Sequence, residues 1–191
     1  MMATDTPKPG GDRFRFGPFE AVTFYGDDEE GVWSPYLRKW GIHIPFAGSL
    51  WLHHFIRGDA DRDLHDHPWD FWTLPLVHYV EEVGLPDGRG GFQLHQQVVA
   101  RGRVHYRPAS YAHRVIGPWS GRFEEAFPLE ALFGMVTPIT RAGSIWTLVF
   151  HRPKSRAWGF LKNREGVWCW QGWRAYHHEG GKSAPCETEK E

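Results

Sequence analysis

Residues 102–113 read Gly102-Arg103-Val104-His105-Tyr106-Arg107-Pro108-Ala109-Ser110-Tyr111-Ala112-His113, and further upstream the chain contains His65-Asp66-His67. Successive side chains of a β-strand point to opposite faces, so residues two apart share one face. His65 and His67 can therefore present their imidazoles to one point from a single strand. With His113 contributed by another strand, these segments predict three ligands for one metal ion.

Imidazole as the only ligand type restricts the metal. Neutral imidazole suits zinc, iron, copper or nickel. Three protein ligands leave coordination positions open for water or a substrate, which is typical of catalytic rather than structural sites. The triad therefore predicts an open, catalytic kind of metal centre.

These segments resemble the two motifs of the cupin superfamily, G-x5-H-x-H-x3,4-E-x6-G and G-x5-P-x-G-x2-H-x3-N. Gly102, Pro108 and His113 match the second motif in register. Ser110 takes the place of its inner glycine, and Gly117 takes the place of its asparagine. The resemblance implies an antiparallel double-stranded β-helix, or jelly-roll barrel, that holds a metal through these histidines.

The first cupin motif is matched less completely. Gly58 lies one residue too far from His65, and the expected glutamate is replaced by Phe71 or Trp72. The block His65-Asp66-His67-Pro68-Trp69-Asp70-Phe71, with Trp158-Gly159-Phe160 downstream, is also similar to small uncharacterised cupins from phages and actinobacteria. That narrower resemblance implies no particular substrate.

The residue pattern alone also favours an all-β fold. Aromatic residues make up 16% of the chain, and glycine and proline interrupt it every few residues, which is typical of many short strands. Long segments with a 3.6-residue hydrophobic period are absent, so helices should be few and short. An antiparallel double-sheet jelly roll accommodates this pattern. The predicted strands cover residues 20–25, 40–46, 50–56, 71–80, 92–99, 103–107, 113–116, 132–136 and 145–151.

Charge excludes some classes of partner. The 191-residue chain has a formal net charge of −1, without the basic footprint of a nucleic-acid-binding protein. Arg101, Arg103 and Arg107 are expected to lie on a solvated strand face.

No apolar run is long enough to span a bilayer, and the N-terminus has no apolar signal-peptide region, so we expect a cytoplasmic protein that does not bind membranes. Cys169 and Cys186 are too few for a disulfide framework, and reduced thiols are expected.

The ends of the chain are predicted to be accessory. Residues 1–12 and 177–191 are polar, and we expect both to be disordered tails around a single domain at residues 13–176. The last part of that domain is aromatic. Its rings are predicted mainly to pack, although they could also wall the barrel mouth or form a homodimer interface. They are Trp158, Trp168, Trp170, Trp173 and Tyr176.

Two carboxylates could supplement the three histidines. If the strand continues past Pro68, Trp69 and Phe71 face the barrel interior, and with Tyr111 they would shape the pocket. A bulge at Pro68 would instead turn Asp70 inward as a fourth ligand. Asp63 lies on the face of His65 but precedes the strand. Either carboxylate could also accept a hydrogen bond from a ligand histidine.

A site of three histidines without a carboxylate resembles the iron sites of thiol dioxygenases and diketone-cleaving cupins. The resemblance implies an Fe(II)-dependent dioxygenase acting on a small chelating substrate. Zn(II) is the alternative metal, and a zinc-bound water could support hydrolysis or hydration.

Two further hypotheses stay open at the level of sequence. One is a metal-stabilised module that binds a small ligand or sugar without turnover. The other is a metal-free sugar epimerase, in which His65 or His67 acts as a base with Tyr111 as partner. His53 and His54 face opposite sides of their strand, and we expect them to be ordinary strand residues.

Overall fold

The computed structural model describes residues 11–27, 31–59, 61–125 and 136–186. Within these residues the chain forms fourteen strands and one short helix. Their bounds are β1 (Asp12–Phe16), β2 (Phe19–Asp27), β3 (Trp33–Ile44), β4 (Gly48–Phe55), β5 (Leu64–His65), β6 (Phe71–Pro75), β7 (Tyr79–Pro86), β8 (Phe92–Val99), β9 (His105–Arg107), β10 (His113–Glu125), β11 (Val136–Thr140), β12 (Ile145–His151), β13 (Gly159–Arg164), β14 (Val167–Gly172) and α1 (Trp173–His178).

The strands form two antiparallel sheets. The first has the order β1-β2-β3-β4-β12-β6-β9, and the second has the order β14-β13-β5-β10-β7-β8, with β11 also paired to β10. Burial alternates with a period of two along β6 and along the first residues of β12, so one face of each strand lies on the core. The predicted all-β, antiparallel double-sheet barrel is confirmed.

The core between the sheets contains two apolar clusters. The first is built on Val22, Trp51, Phe71 and Val149, with Phe24 and Trp69 packed against it. The second is built on Tyr79, Val99, Val115 and Ile145, with Phe55 and Val77 packed against it. The predicted site histidines lie beside the first cluster, because the Phe71 ring contacts His67 with ring centres 4.5 Å apart.

Strand β10 joins the parts of the second sheet that form the site. His113, its first residue, pairs with His65 on β5 on one side and with Val83 on β7 on the other. His65 in turn pairs with Phe160 on β13. Two of the three predicted ligands are therefore direct neighbours across adjacent strands.

Two features of the strand pattern differ from expectation. Residues 71–80 were predicted as one strand, but they form all of β6 and the first two residues of β7, which lie in different sheets. Leu76 and Val77 are apolar like their neighbours, so the sequence does not show that the chain passes from one sheet to the other there. The hairpin of β13 and β14 was not predicted, because its aromatic residues resemble packing residues of any element.

The C-terminal part of the chain packs on the second sheet. The ring of Tyr176, on α1, stacks on Phe160 with ring centres 3.8 Å apart. The buried Lys162 ammonium donates to the carbonyl oxygens of Gly181 and Ala184, at 2.5 and 2.9 Å. Residues 177–186, expected to be disordered, therefore make specific contacts, whereas residues 187–191 lie outside the described residues. At the other end, Asp12 belongs to β1, and residues 1–10 are not described.

The expectation of reduced thiols is wrong in this structure. Cys169, on β14, forms a disulfide with Cys186. The return of residues 179–186 over the second sheet brings the two cysteines together, which a count of cysteines cannot show. The cytoplasmic location that the sequence predicts stays a prediction.

The outer face of the first sheet exposes large apolar side chains. Trp40, Ile42 and Leu50 are each about 40% exposed. The homodimer considered from the sequence remains a prediction. Among the described residues, no helix has the length and apolar character needed to cross a bilayer.

Candidate metal centre

The structure brings His65, His67 and His113 together. One ring nitrogen from each residue lies within 4.8 Å of those of the other two. The shortest separation is 3.0 Å, between Nε2 of His67 and Nε2 of His113. The three ring nitrogens therefore come close together, although β5 ends at His65 and His67 lies outside that strand.

Backbone contacts hold the three histidines in place. His65 and His113 are fixed by their pairing in the second sheet. His67 lies just beyond β5, but its amide donates to the carbonyl oxygen of Ala109 at 3.0 Å. The neighbouring Pro68 carbonyl accepts a hydrogen bond from the Ser155 amide at 2.8 Å. The ring positions are therefore set by the fold and do not depend on a continuous strand through Pro68.

A buried carboxylate orients His113. The side chain of Glu81 is inaccessible to solvent, and its Oε2 lies 3.0 Å from Nδ1 of His113. Because an ionised carboxylate only accepts hydrogen bonds, Nδ1 of His113 donates the proton and Nε2 carries the lone pair. That lone pair faces His67. Such an outer partner commonly fixes the tautomer of a metal-binding histidine.

Glu81 also accepts hydrogen bonds from other side chains. Arg107 Nη2 and the Tyr111 hydroxyl lie 2.7 Å from Oε1, and Gln97 Nε2 lies 2.9 Å from it. Burial raises the pKa of Glu81, but the hydrogen bond from His113 and the positive charge of Arg107 outweigh it and hold the pKa well below its ordinary value. The carboxylate therefore stays ionised in the core.

Burial keeps the other two imidazoles neutral. It lowers the pKa of His65, although the Asp59 carboxylate, 3.9 Å from Nδ1, partly opposes the shift. Burial lowers the pKa of His67 further, and the nearby His65 and His113 add to that effect. A neutral imidazole is the form that binds a metal ion.

The predicted pocket residues lie at different distances from the histidines. Phe71 packs edge-on against His67, with ring centres 4.5 Å apart, and Tyr111 lies 5.2 Å from His113. Trp69 is 6.5 Å from His67 and stacks mainly on His151, at 4.0 Å. Phe71 and Tyr111 therefore flank the centre, while Trp69 supports it from one side.

The two carboxylates considered as a fourth ligand have other partners. Asp63 makes a two-pronged ion pair with Arg164, at 2.6 and 2.9 Å, and accepts from the Tyr176 hydroxyl. Asp70 accepts a hydrogen bond from the Ala109 amide at 2.9 Å. Neither belongs to the group of converging ligand atoms, so within the described residues the cluster consists of three histidines.

Sequence reasoning missed Glu81 and misplaced Arg107. Arg107 was expected on a solvated face, but it is 3% exposed and forms an ion pair with Glu81. A signal was present in the sequence: Glu81 lies two residues from both Tyr79 and Val83, so it shares their side of β7, and that stretch of the strand is buried throughout. A carboxylate at such a position needs a buried partner.

No protein-family model and no curated protein matches the sequence. Solved structures with a similar arrangement include a cupin-2 domain protein from Rhodospirillum rubrum, 8% identical, with 82% of this chain matched to 84% of that one at a TM-score of 0.44. A cupin 2 conserved barrel domain protein from Rhodopseudomonas palustris is 11% identical, with 76% of this chain matched to 83% of that one at a TM-score of 0.43.

Vicilin from Corylus avellana, the hazelnut, is 12% identical at a TM-score of 0.41. There 61% of this chain matches 28% of that protein, so this chain spans less than a third of the vicilin chain. At this level of likeness the chemistry of the site has to be inferred from its own side chains.

Proposed function

We propose that the chain binds a divalent transition metal, Fe(II) in its active form, through His65, His67 and His113, and oxygenates a small chelating substrate there. The observation that carries the proposal is the convergence of three ring nitrogens within 4.8 Å of one another. The donor set, three neutral imidazoles, suits iron or zinc and leaves positions for a substrate.

The spacing of the His67 and His113 nitrogens fits a shared ion. Two nitrogens about 2.0–2.1 Å from one metal, at bond angles of about 90–110°, lie about 2.8–3.4 Å apart. The 3.0 Å between the Nε2 atoms of His67 and His113 falls in that range. A ring nitrogen of His65 lies within 4.8 Å of both.

The chain's own residues have separate tasks in this proposal. Glu81 fixes the proton of His113 on Nδ1, so that Nε2 is free to bind. Phe71 and Tyr111 flank the centre and limit water. The His65 side chain is 19% exposed, which leaves a route for a small molecule. Bound Fe(II) would supply coordination positions for the chelating substrate and for the activation of dioxygen.

Elemental analysis and oxygen uptake test the proposal. Protein purified without a polyhistidine tag should carry about one metal ion per chain. After anaerobic loading with Fe(II), it should consume oxygen with at least one small thiol, diketone or catechol-like chelator. A metal-loaded protein that binds such ligands without consuming oxygen would support the non-catalytic binding module instead.

One observation favours a second candidate, a metal-free acid–base enzyme such as a sugar epimerase. The buried pair of His113 and Glu81 is an imidazole held by a carboxylate, as a general base requires. It differs from the epimerase considered from the sequence, which used His65 or His67 with Tyr111. Protein that binds no divalent metal but loses activity in His113→Ala would favour this candidate.

A further inference from the structure

Lys39 and His53 are polar side chains that point into the barrel from the first sheet. They are register partners on β3 and β4. The Lys39 ammonium lies 4.8 Å from the centre of the Phe24 ring and 4.9 Å from that of Trp51, both in the first core cluster. His53 contacts Phe55, which packs against the second cluster. Both side chains therefore face inward.

Within the described ranges, neither group has a polar partner, because the Lys39 ammonium and the His53 ring make no hydrogen bond or ion pair there. Glu20, the acidic side chain whose charge raises the pKa of Lys39, is already held by Arg13 at 2.9 Å and by His43 at 2.5 Å. Polar groups inside a protein are usually hydrogen-bonded, so an unpartnered pair of donors points to a ligand.

Burial changes the protonation of both side chains. Both are only partly accessible. Burial lowers the pKa of Lys39 to about 8 and lowers the pKa of His53 well below its ordinary value. A neutral His53 ring can still donate one hydrogen bond.

The inward face that carries these side chains is connected to the three-histidine centre through the first core cluster. The Lys39 ammonium lies over the Trp51 ring. Phe71 packs against His67, with ring centres 4.5 Å apart, and belongs to the same cluster as Trp51. The ammonium is therefore linked to the histidines through the aromatic side chains of this cluster.

We propose that Lys39 and His53 bind the carboxylate of the substrate, which is a small organic acid whose other end chelates the metal. A carboxylate supplies the acceptors that the ammonium and the imidazole lack, and such an ion pair is stronger between desolvated groups than in water. The Trp51 and Phe24 rings beside the ammonium suit the apolar body of such an acid. The assignment of the chelating end depends on the proposed function, whereas the assignment of the carboxylate end does not.

Paired probes test this assignment. Calorimetry would compare catechol, which chelates without a carboxylate, with protocatechuate and dihydrocaffeate, which carry one at two different lengths. Co(II)-loaded protein avoids turnover. At least one of the two acids should bind about tenfold or more tightly than catechol. Lys39→Met, of similar length and uncharged, should remove that preference and retain the catechol affinity and the metal content.

Lys154→Met is the matched control, because Lys154 is exposed, and it should bind like wild type. Lys39→Gln is a second uncharged variant if Lys39→Met fails to fold. The same preference for either acid in wild type and in a folded Lys39 variant would overturn the assignment, and so would equal binding of all three probes by wild type.

Failure of the metal centre is a separate result. If the wild type takes up no metal, the proposed function fails, and the comparison is made on the metal-free protein. There the acids should still bind more tightly than catechol, and Lys39→Met should abolish the difference. Equal affinities in that experiment would overturn the carboxylate site as well.

Discussion

Glu81 and His113 lie 3.0 Å apart, with the carboxylate on the Nδ1 side of the imidazole and His67 on the Nε2 side. The carboxylate stands on β7 and the imidazole on β10, and these strands are hydrogen-bonded neighbours. The pairing of these strands therefore places the carboxylate where it holds the proton of His113 on Nδ1, on the side of the ring away from His67. The negative charge acts on the site without occupying a ligand position.

His113→Ala should weaken metal binding by more than about 100-fold, because loss of an outer partner alone costs about 10–100-fold. Zinc affinity, measured by competition with a chromophoric chelator, would show the loss, and any turnover should fall with it. His53→Ala is the control and should retain the metal, since His53 is not among the converging histidines. Equal metal affinity in His113→Ala and wild type would rule out this ligand set.

Glu81→Gln should destabilise the fold by about 3–5 kcal/mol, because it leaves the buried Arg107 cation without its counter-charge. It should also lower metal affinity by about 10–100-fold. Urea unfolding and metal competition measure the two effects. Glu179→Gln is the control: the side chains of Glu179 and its partner Arg174 are 61% and 85% exposed, so about 1 kcal/mol or less is expected. Similar losses in the two variants would contradict the role given to Glu81.

Asp63→Asn should destabilise the protein but leave its metal content unchanged. The substitution removes the charge that pairs with Arg164 and that accepts from Tyr176. Asp70→Asn should likewise retain the metal. Elemental analysis of the two purified variants checks both expectations, and loss of the metal in either one would restore that carboxylate as a fourth ligand.

Stability of the metal-free protein should fall as the pH decreases from 7 to 5. Burial lowers the pKa of His65 and His67 below the ordinary value of about 6.5, so in this range the unfolded chain binds more protons than the folded one. The free energy of unfolding therefore decreases toward acid pH. The Glu81 carboxylate, whose pKa is also lowered, adds its own loss only below about pH 4.5. Urea unfolding at stepped pH measures the slope, and a flat or rising free energy would contradict the neutral state of these histidines.

Removal of the disulfide should cost about 2–4 kcal/mol, the usual range for a closed loop of this kind. Cys169 and Cys186 are 17 residues apart in the sequence. Thermal unfolding of Cys186→Ser should show the loss, while the metal content should not change. Thiol titration of protein purified without reductant is the direct check: two free thiols would mean that the bond is absent in solution.

The three histidines of the site could be predicted from the H-x-H step together with the resemblance of residues 102–113 to a cupin motif. The two-residue step predicts a shared strand face, but β5 ends at His65, and His67 is held instead by its amide contact with Ala109. The structure makes His65 and His113 direct partners. The double-sheet fold follows from the same alternation of buried and exposed positions.

The rest depends on contacts between distant parts of the chain. Glu81 lies 32 residues from His113 in the sequence, and no local pattern states that β7 and β10 are neighbours. Lys39 and His53 resemble ordinary strand residues until the register of β3 and β4 is known. The disulfide escapes prediction for the same reason, since it depends on the return of residues 179–186 over the second sheet.

The buried ammonium of Lys162 depends on a part of the chain that is synthesised late. Its two acceptors, the carbonyls of Gly181 and Ala184, are 19 and 22 residues further along the chain. A nascent chain made only as far as β14 lacks these acceptors, so the ammonium must then be hydrogen-bonded to water. The surroundings of Lys162 are therefore complete only after residue 184 has been translated.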